Sequence, residues 1–335
     1  MTNDPILSAP EADDTRRSHR RDFLRTAGSV SAAVAGASLL AACGGNDSNP
    51  APTPTPTPTA STTPTPTPSP VSNADILNFA LNLAYLEAQY FSVVTTGAGL
   101  SADLLTGTGT PGAATGGRAR VFTDPVVAQY ARELAADTRT HVAFLRGVIG
   151  STVIAQPAID LGVTATSAFS NLARAAGLIT TAAATYDVYE SDERVMLGAF
   201  VFADVAVTAY RGIAASLTGA AFLDALSGMQ AAKAYHAGLI RSVLYRKGIA
   251  TPAILDATEA LSTARDSLEG ATDIDQGVKP VNNASNIVPT DGSGLTFNRA
   301  PAQVLNVHYL TRASVSAGGF FPAGVNGPLK TSTAA

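Results

Sequence analysis

The sequence predicts an all-α fold, and three observations carry that expectation. Four segments, each roughly twenty to twenty-five residues long, repeat apolar side chains at helical spacing. Capping residues and terminal glycines punctuate them. A longer stretch divides the second from the third, which suits a four-helix bundle with a long crossover. Of the 335 residues, about 265 lie from Val71 onward, enough for one domain with its own core.

Ahead of the helices, HRRDFLR (His19 to Arg25) runs into the uncharged TAGSVSAAVAGASLL and then LAAC, ending at Cys43. Paired arginines, a weakly apolar segment and small residues before a cysteine make an export signal. The apolar part is too short and too poor in Leu and Ile to cross about 30 Å of hydrocarbon. This leader, residues 1–43, resembles a twin-arginine signal joined to a lipoprotein box, with Arg20 and Arg21 as the pair and Leu40 to Cys43 as the box. The resemblance implies export by a twin-arginine-type route, cleavage before Cys43, acylation of its thiol, and a periplasmic or cell-surface lipoprotein held to a membrane. Cys43 is the only cysteine, so an intramolecular disulfide and a thiolate metal site are both excluded.

Residues 44–71 form a Pro/Thr-rich tether. Proline at alternate positions through Ala51 to Pro70 removes amide donors and fixes φ, so this stretch should extend as polyproline at about 3.1 Å per residue. The leader up to Cys43 carries five acids and five arginines, which leaves the formal charge of −4 unchanged in the rest. No basic patch is present to track a phosphate backbone, and nucleic acid is excluded as a partner.

The bundle is assigned to residues 72–270. Its first helix, Asn73 to Val94, spaces Ile76, Leu77, Ala80, Leu83, Ala84 and Glu87 along one face, with Ser72 or Asn73 as cap. The second, Asp124 to Gly150, opens on an Asp cap and a first-turn proline. A third begins near Asp192, and a fourth runs from about Ala221 to Lys247. Between the second and third, the crossover has helical character around Ser167 to Ala176, and Ala253 to Leu268 reads as a short extra helix. The Gly-rich Thr106 to Gly117 lacks the setting of a phosphate loop and is expected to be a flexible connection. Residues 271–335 are expected to be an irregular tail whose apolar clusters pack on the bundle.

NLAYLEAQYF (Asn82 to Phe91), HVAFLR (His141 to Arg146), FADVAVTAY (Phe202 to Tyr210) and HAGLIRSVL (His236 to Leu244) together resemble the ferritin-like domain family of exported bacterial proteins and plant desiccation-related proteins. NRAPAQVLNV and GGFFPAGVNG resemble that family's C-terminal part. The resemblance implies a ferritin-like bundle. In metal-binding members it implies a dinuclear site built from inward glutamates and Glu-x-x-His pairs, because residues at i and i+3 share a helix face.

Four of the positions where that family carries glutamate hold something else here: Ala84, Thr138, Ala203 and Lys233. The remaining candidates for a metal are Glu87, His141 and His236. Two divalent ions would face one carboxylate and an added ammonium. Each pair of like charges 4 Å apart costs about 4 kcal/mol at an effective dielectric near 20. The expectation is therefore no cofactor, with Lys233 neutralising Glu87 and the histidines hydrogen-bonded to Thr138, to Tyr85 or Tyr235, or to water. The alternative is a mononuclear iron, manganese or zinc centre on Glu87, His141 and His236, with Asp137 or Asp204 orienting a ring. A lysine base is a further option. The functional expectation is a non-catalytic structural or stress-associated envelope protein, the alternative a metal-dependent oxidase or iron-binding protein. A protein partner or homo-oligomer stays open.

Overall fold

The computed structural model describes residues 70–270 and 273–335. Arg20, Arg21, Cys43 and most of the tether lie outside the described residues. Four long helices form the bundle: α1 (Asn73–Thr96), α2 (Pro125–Ile149), α4 (Asp192–Ala214) and α5 (Ala220–Ala250). Three shorter ones are α3 (Ala168–Ala175) in the crossover, α6 (Pro252–Asp266) after α5, and α7 (Pro301–Tyr309) near the C-terminus.

Local chemistry sets the ends. Ser72 and Asp75 exchange side-chain and backbone bonds as a capping box at the start of α1, and Gly97 closes it with a φ of 77°. Asp124 accepts from the amides of Val126 and Val127 at 2.9 and 3.3 Å and Pro125 opens α2.

Side-chain contacts fix the directions. Asn78, near the start of α1, donates to the Thr152 carbonyl just past α2 at 3.0 Å, and Asn73 at the start of α1 bonds Thr218 just past α4. Helices α2 and α4 therefore both oppose α1 and run the same way. A chain joining two parallel helices must travel back along the bundle, about 35 Å at 1.5 Å per residue over the 23 residues of α4. That return is the crossover. Lys247, near the end of α5, meets Asp124 and Glu193 at the starts of α2 and α4, at 3.0 and 2.9 Å, so α5 opposes both.

The helices divide by burial. Every residue from Ile76 to Phe91 of α1 and from Val195 to Tyr210 of α4 is buried, whereas α2 buries a single stripe. Apolar sequence on all sides is stable only when all sides are covered. This is a correction to the one-faced reading of α1: the crossover and C-terminal segment shield what would be its outer face. Helix α4 is apolar enough to cross a membrane by length and composition, yet 89% of that stretch is buried inside the protein.

Two further expectations change. The Gly-rich segment after α1 is bound, not loose: its strand β1 (Ala114–Thr115) pairs in parallel with β2 (Ile159–Asp160) of the crossover. A Cβ on Gly112 would lie 2.2 Å from the backbone of Ala158, so the glycine permits this close docking. The C-terminal part is also more regular than expected. It contains α7, and Val304, Leu305, Val307, Phe320 and Phe321 join the main core. At Gly212 of α4 a Cβ would sit 1.9 Å from the Arg299 carbonyl oxygen, which lets the chain before α7 lie directly on the helix.

Candidate functional site

The centre of the bundle gathers Glu87 from α1, Thr138 and His141 from α2, and Lys233 and His236 from α5. Glu87 and Lys233 are 5% and 1% exposed, and the lysine ammonium lies 2.5 Å from Glu87 Oε2. The rings of His141 and His236 have centroids 5.7 Å apart. Ala84 and Ala203 are buried at 0% and 4% exposure.

His236 takes the partner named under the mononuclear alternative, Asp137, and not Thr138, Tyr85 or Tyr235. His236 Nε2 is 2.9 Å from Asp137 Oδ2. Thr138 donates instead to the Leu134 carbonyl at 2.6 Å, inside its own helix. Tyr85 donates to the Leu104 carbonyl at 2.8 Å, and Tyr235 is 81% exposed. Residues 138 and 235 fail as partners because short-range backbone bonding captures the threonine and helical phase turns the tyrosine outward. The His141 Nδ1 atom is buried without a hydrogen-bond partner, as is the Tyr210 hydroxyl.

Electrostatics keep both rings neutral. Burial first, then the Lys233 ammonium and His236, hold His141 down at about 3. Burial and Lys233 also lower His236, against the opposing pull of Asp137. Neutral imidazoles are competent ligands. The unpartnered Nδ1 of His141 is one feature that fits a metal. The rest of the set does not fit a dinuclear centre: one carboxylate, already joined to an ammonium, cannot neutralise two divalent ions.

A second buried polar centre went unpredicted. Asp204, expected as a ring-orienting group, instead accepts from Arg241 Nη1 at 2.7 Å. Arg299 Nε and Nη2 clamp Glu269 at 2.7 and 2.6 Å, while Nη2 also reaches Asp275 at 2.6 Å. Arg265 Nη2 lies 2.9 Å from Asp275 Oδ1. All three arginines are fully buried. The signal was present in the spacing. Arg241 shares the register of buried Ala237, Leu244 and Gly248, and Arg265 that of Ile254, Thr258 and Leu261, so each stands at a core position of its helix.

Carboxylate oxygens of Asp266, Glu269 and Asp275 lie within 4.8 Å of one another. Arg299 already bridges Glu269 and Asp275, and the group reads as part of this ion network.

Comparison with known proteins gives a consistent placement. A profile of the ferritin-like domain family matches residues 72–246. Ferritin-like catalase Nec2 of Nesocodon mauritianus is 26% identical over 275 residues, covering 77% of this chain and 85% of its own length. Desiccation-related protein PCC13-62 of Craterostigma plantagineum is 25% identical over 274 residues, covering 76% and 83%. No solved structure matches. With all four bundle helices within or reaching into the matched span, the chain belongs to the ferritin-like domain family.

Proposed function

We propose that this protein is an exported, lipid-anchored ferritin-like bundle whose dinuclear metal position has been replaced by an internal ion pair. Its role is structural or stress-associated in the cell envelope. The observation that carries the reading is the Lys233 ammonium against Glu87, with Thr138 and Ala203 at other positions where the family resemblance implies glutamates. A relative named as a catalase and another named for desiccation support a protective setting, while the charge count in the bundle centre opposes transfer of dinuclear chemistry. The leader supports membrane attachment through Cys43.

A second reading is favoured by the unpartnered Nδ1 of His141 and the Asp137 contact of His236: Glu87, His141 and His236 as a mononuclear iron, manganese or zinc set. Elemental analysis after incubation with each metal and removal of loose ions separates the two. The proposal expects metal near zero, and binding restored in Thr138→Glu/Ala203→Glu/Lys233→Glu. About one metal per chain in the natural protein, lost in His141→Ala, establishes the mononuclear reading; a folded triple variant without metal would falsify the assignment of these positions.

A further inference from the structure

Among the described residues, one long face of α5 is left uncovered. Asp224 near the start of the helix and Arg246 near its end are exposed, and within the described residues neither forms an ion pair. Between them α5 exposes Ser227, Gly228, Ala231, Ala234, Tyr235 and Ser242, while Lys233 and Arg241 are turned inward and buried. About six turns of surface helix therefore show no charge. A solvated helix face ordinarily carries charged side chains, and one this long without them has the charge-depleted character of an interface core. An open groove of about 920 Å³ runs beside it, with Tyr130 of α2 and the 67% exposed Val288 in its walls.

Charge selects the occupant. Tyr235, 81% exposed, stands eleven residues after Asp224 and eleven before Arg246, and eleven residues return a helix to within about 20° of the same direction. The three side chains thus share one face, with the tyrosine at its midpoint. A second α5 laid antiparallel about a two-fold axis through Tyr235 places each Asp224 opposite the other copy's Arg246. Parallel pairing would set like charges together. The antiparallel register also puts Ala231 opposite Leu239 and Gly228 opposite Ser242, so small residues receive larger ones. Glycine is unfavourable in a helix interior, yet a Cβ at Gly228 or Gly238 would meet no atom within 4 Å. Nothing in this chain requires either glycine, whereas close approach of a second backbone does.

We infer that this face of α5 is the contact surface of an isologous dimer, in which two copies of the chain pair antiparallel through Tyr235 and exchange Asp224–Arg246 ion pairs. Self-complementarity of this kind is what two-fold symmetry demands of a surface, and charges at the ends of a contact fix its orientation and register. Glu133, the other charged residue in the groove wall, stands on α2 at the edge of the contact and stays solvated. From Asp224 to Arg246 the helix face is about 33 Å long and about 10 Å wide, or roughly 330 Å² per copy. Even with the groove walls added, this lies at the low end of protein interfaces. The dimer is therefore weak.

The test is sedimentation equilibrium on the full chain carrying Cys43→Ser, which leaves no acyl group to drive association. It should show a monomer–dimer equilibrium with a dissociation constant of about 10–100 μM. Asp224→Arg and Arg246→Asp each set like charges together at both ends of the contact, and each alone should weaken dimerisation at least about tenfold while leaving the helical circular dichroism unchanged. An equimolar mixture of the two variants re-creates both attractions and should form heterodimers within about threefold of the natural affinity, as should the double variant Asp224→Arg/Arg246→Asp on its own. A chain that stays monomeric up to about 500 μM overturns the inference and leaves the face to a different partner. So does association that the single reversals leave unchanged, which would place it on another surface. A mixture that fails to associate overturns the antiparallel register and with it the proposed dimer.

Discussion

Among the described residues, two buried ionic regions solve the same problem differently. At the bundle centre one ammonium meets one carboxylate, with two neutral histidines beside them and an imidazole nitrogen left without a partner. Beneath the segment that leads into α7, three arginines interlock with three carboxylates, and Arg241 also donates to the carbonyls of Gln276, Gly277, Asn286 and Ile287. The first joins helices that the hydrophobic pattern would bring together anyway. The second fastens an irregular chain to the bundle by giving its carbonyls buried donors, which apolar packing alone cannot do. Buried charge in the second region therefore specifies where a loop goes, whereas in the first it fills a position.

Breaking the denser network should have the largest effect. Arg299→Met removes the shared partner of Glu269, Asp275 and Thr208, and we expect a loss of about 4–5 kcal/mol, measured by urea unfolding. A loss below about 1 kcal/mol would mean that those carboxyl groups need no counter-ion and that the contrast between the regions is unfounded.

Lys233→Met strands Glu87 in the core and should cost about 3–4 kcal/mol. The double variant Lys233→Met/Glu87→Leu should return to within about 1 kcal/mol of the natural protein, because removing both charges also removes their desolvation. If the double variant is no better than the single one, the pair matters through packing and not through charge.

Acid sharpens the comparison through its histidines. Burial first, then Arg299 and Arg265, hold His308 at about 3 against an ordinary value of 6.5. Between those limits the unfolded chain takes up a proton that the folded ring refuses, so stability falls as pH falls, by at most about 1.4 kcal/mol per pH unit for each such group. His141 at the bundle centre acts in the same direction. His308→Phe, in a site already walled by Phe202, Phe320 and Phe321, should flatten the slope between pH 6 and 4 by about one histidine's share. An unchanged slope would place the acid sensitivity elsewhere.

The smallest effect is expected at Tyr235. Its side chain is 81% exposed, so Tyr235→Ala should change stability by less than about 0.5 kcal/mol and leave the His236 titration, followed by NMR, where it was. Movement of that titration would return Tyr235 to the histidine's surroundings.

How far the site could be read in advance follows from distance along the chain. Helix-phase relations are local, so Thr138 and Lys233 three residues before their histidines were legible as one face each. Pairing of Lys233 with Glu87 was legible because few other groups could satisfy a buried carboxylate. Asp137 was legible only as one of two acids that could orient a ring, and the arginine partner of Asp204 was not legible at all. Asp137 neighbours Thr138 in sequence but lies a full 100° away around an ideal helix, and only the angle at which α2 meets α5 brings it to the ring.

By itself the sequence determined the number, order and approximate ends of the long helices. Apolar periodicity, caps and terminal glycines are properties of neighbouring residues. It also raised the expectation that too few carboxylates remain for a dinuclear centre, because Ala84, Thr138, Ala203 and Lys233 stand where the family resemblance implies glutamates. Only the tertiary structure decided that the Gly-rich connection pairs with the crossover, that α1 is covered on every side, and that residues 276–287 wrap around Arg241. Each of these depends on groups distant in the chain meeting at close range, where a backbone carbonyl or a missing Cβ matters more than the hydrophobic pattern.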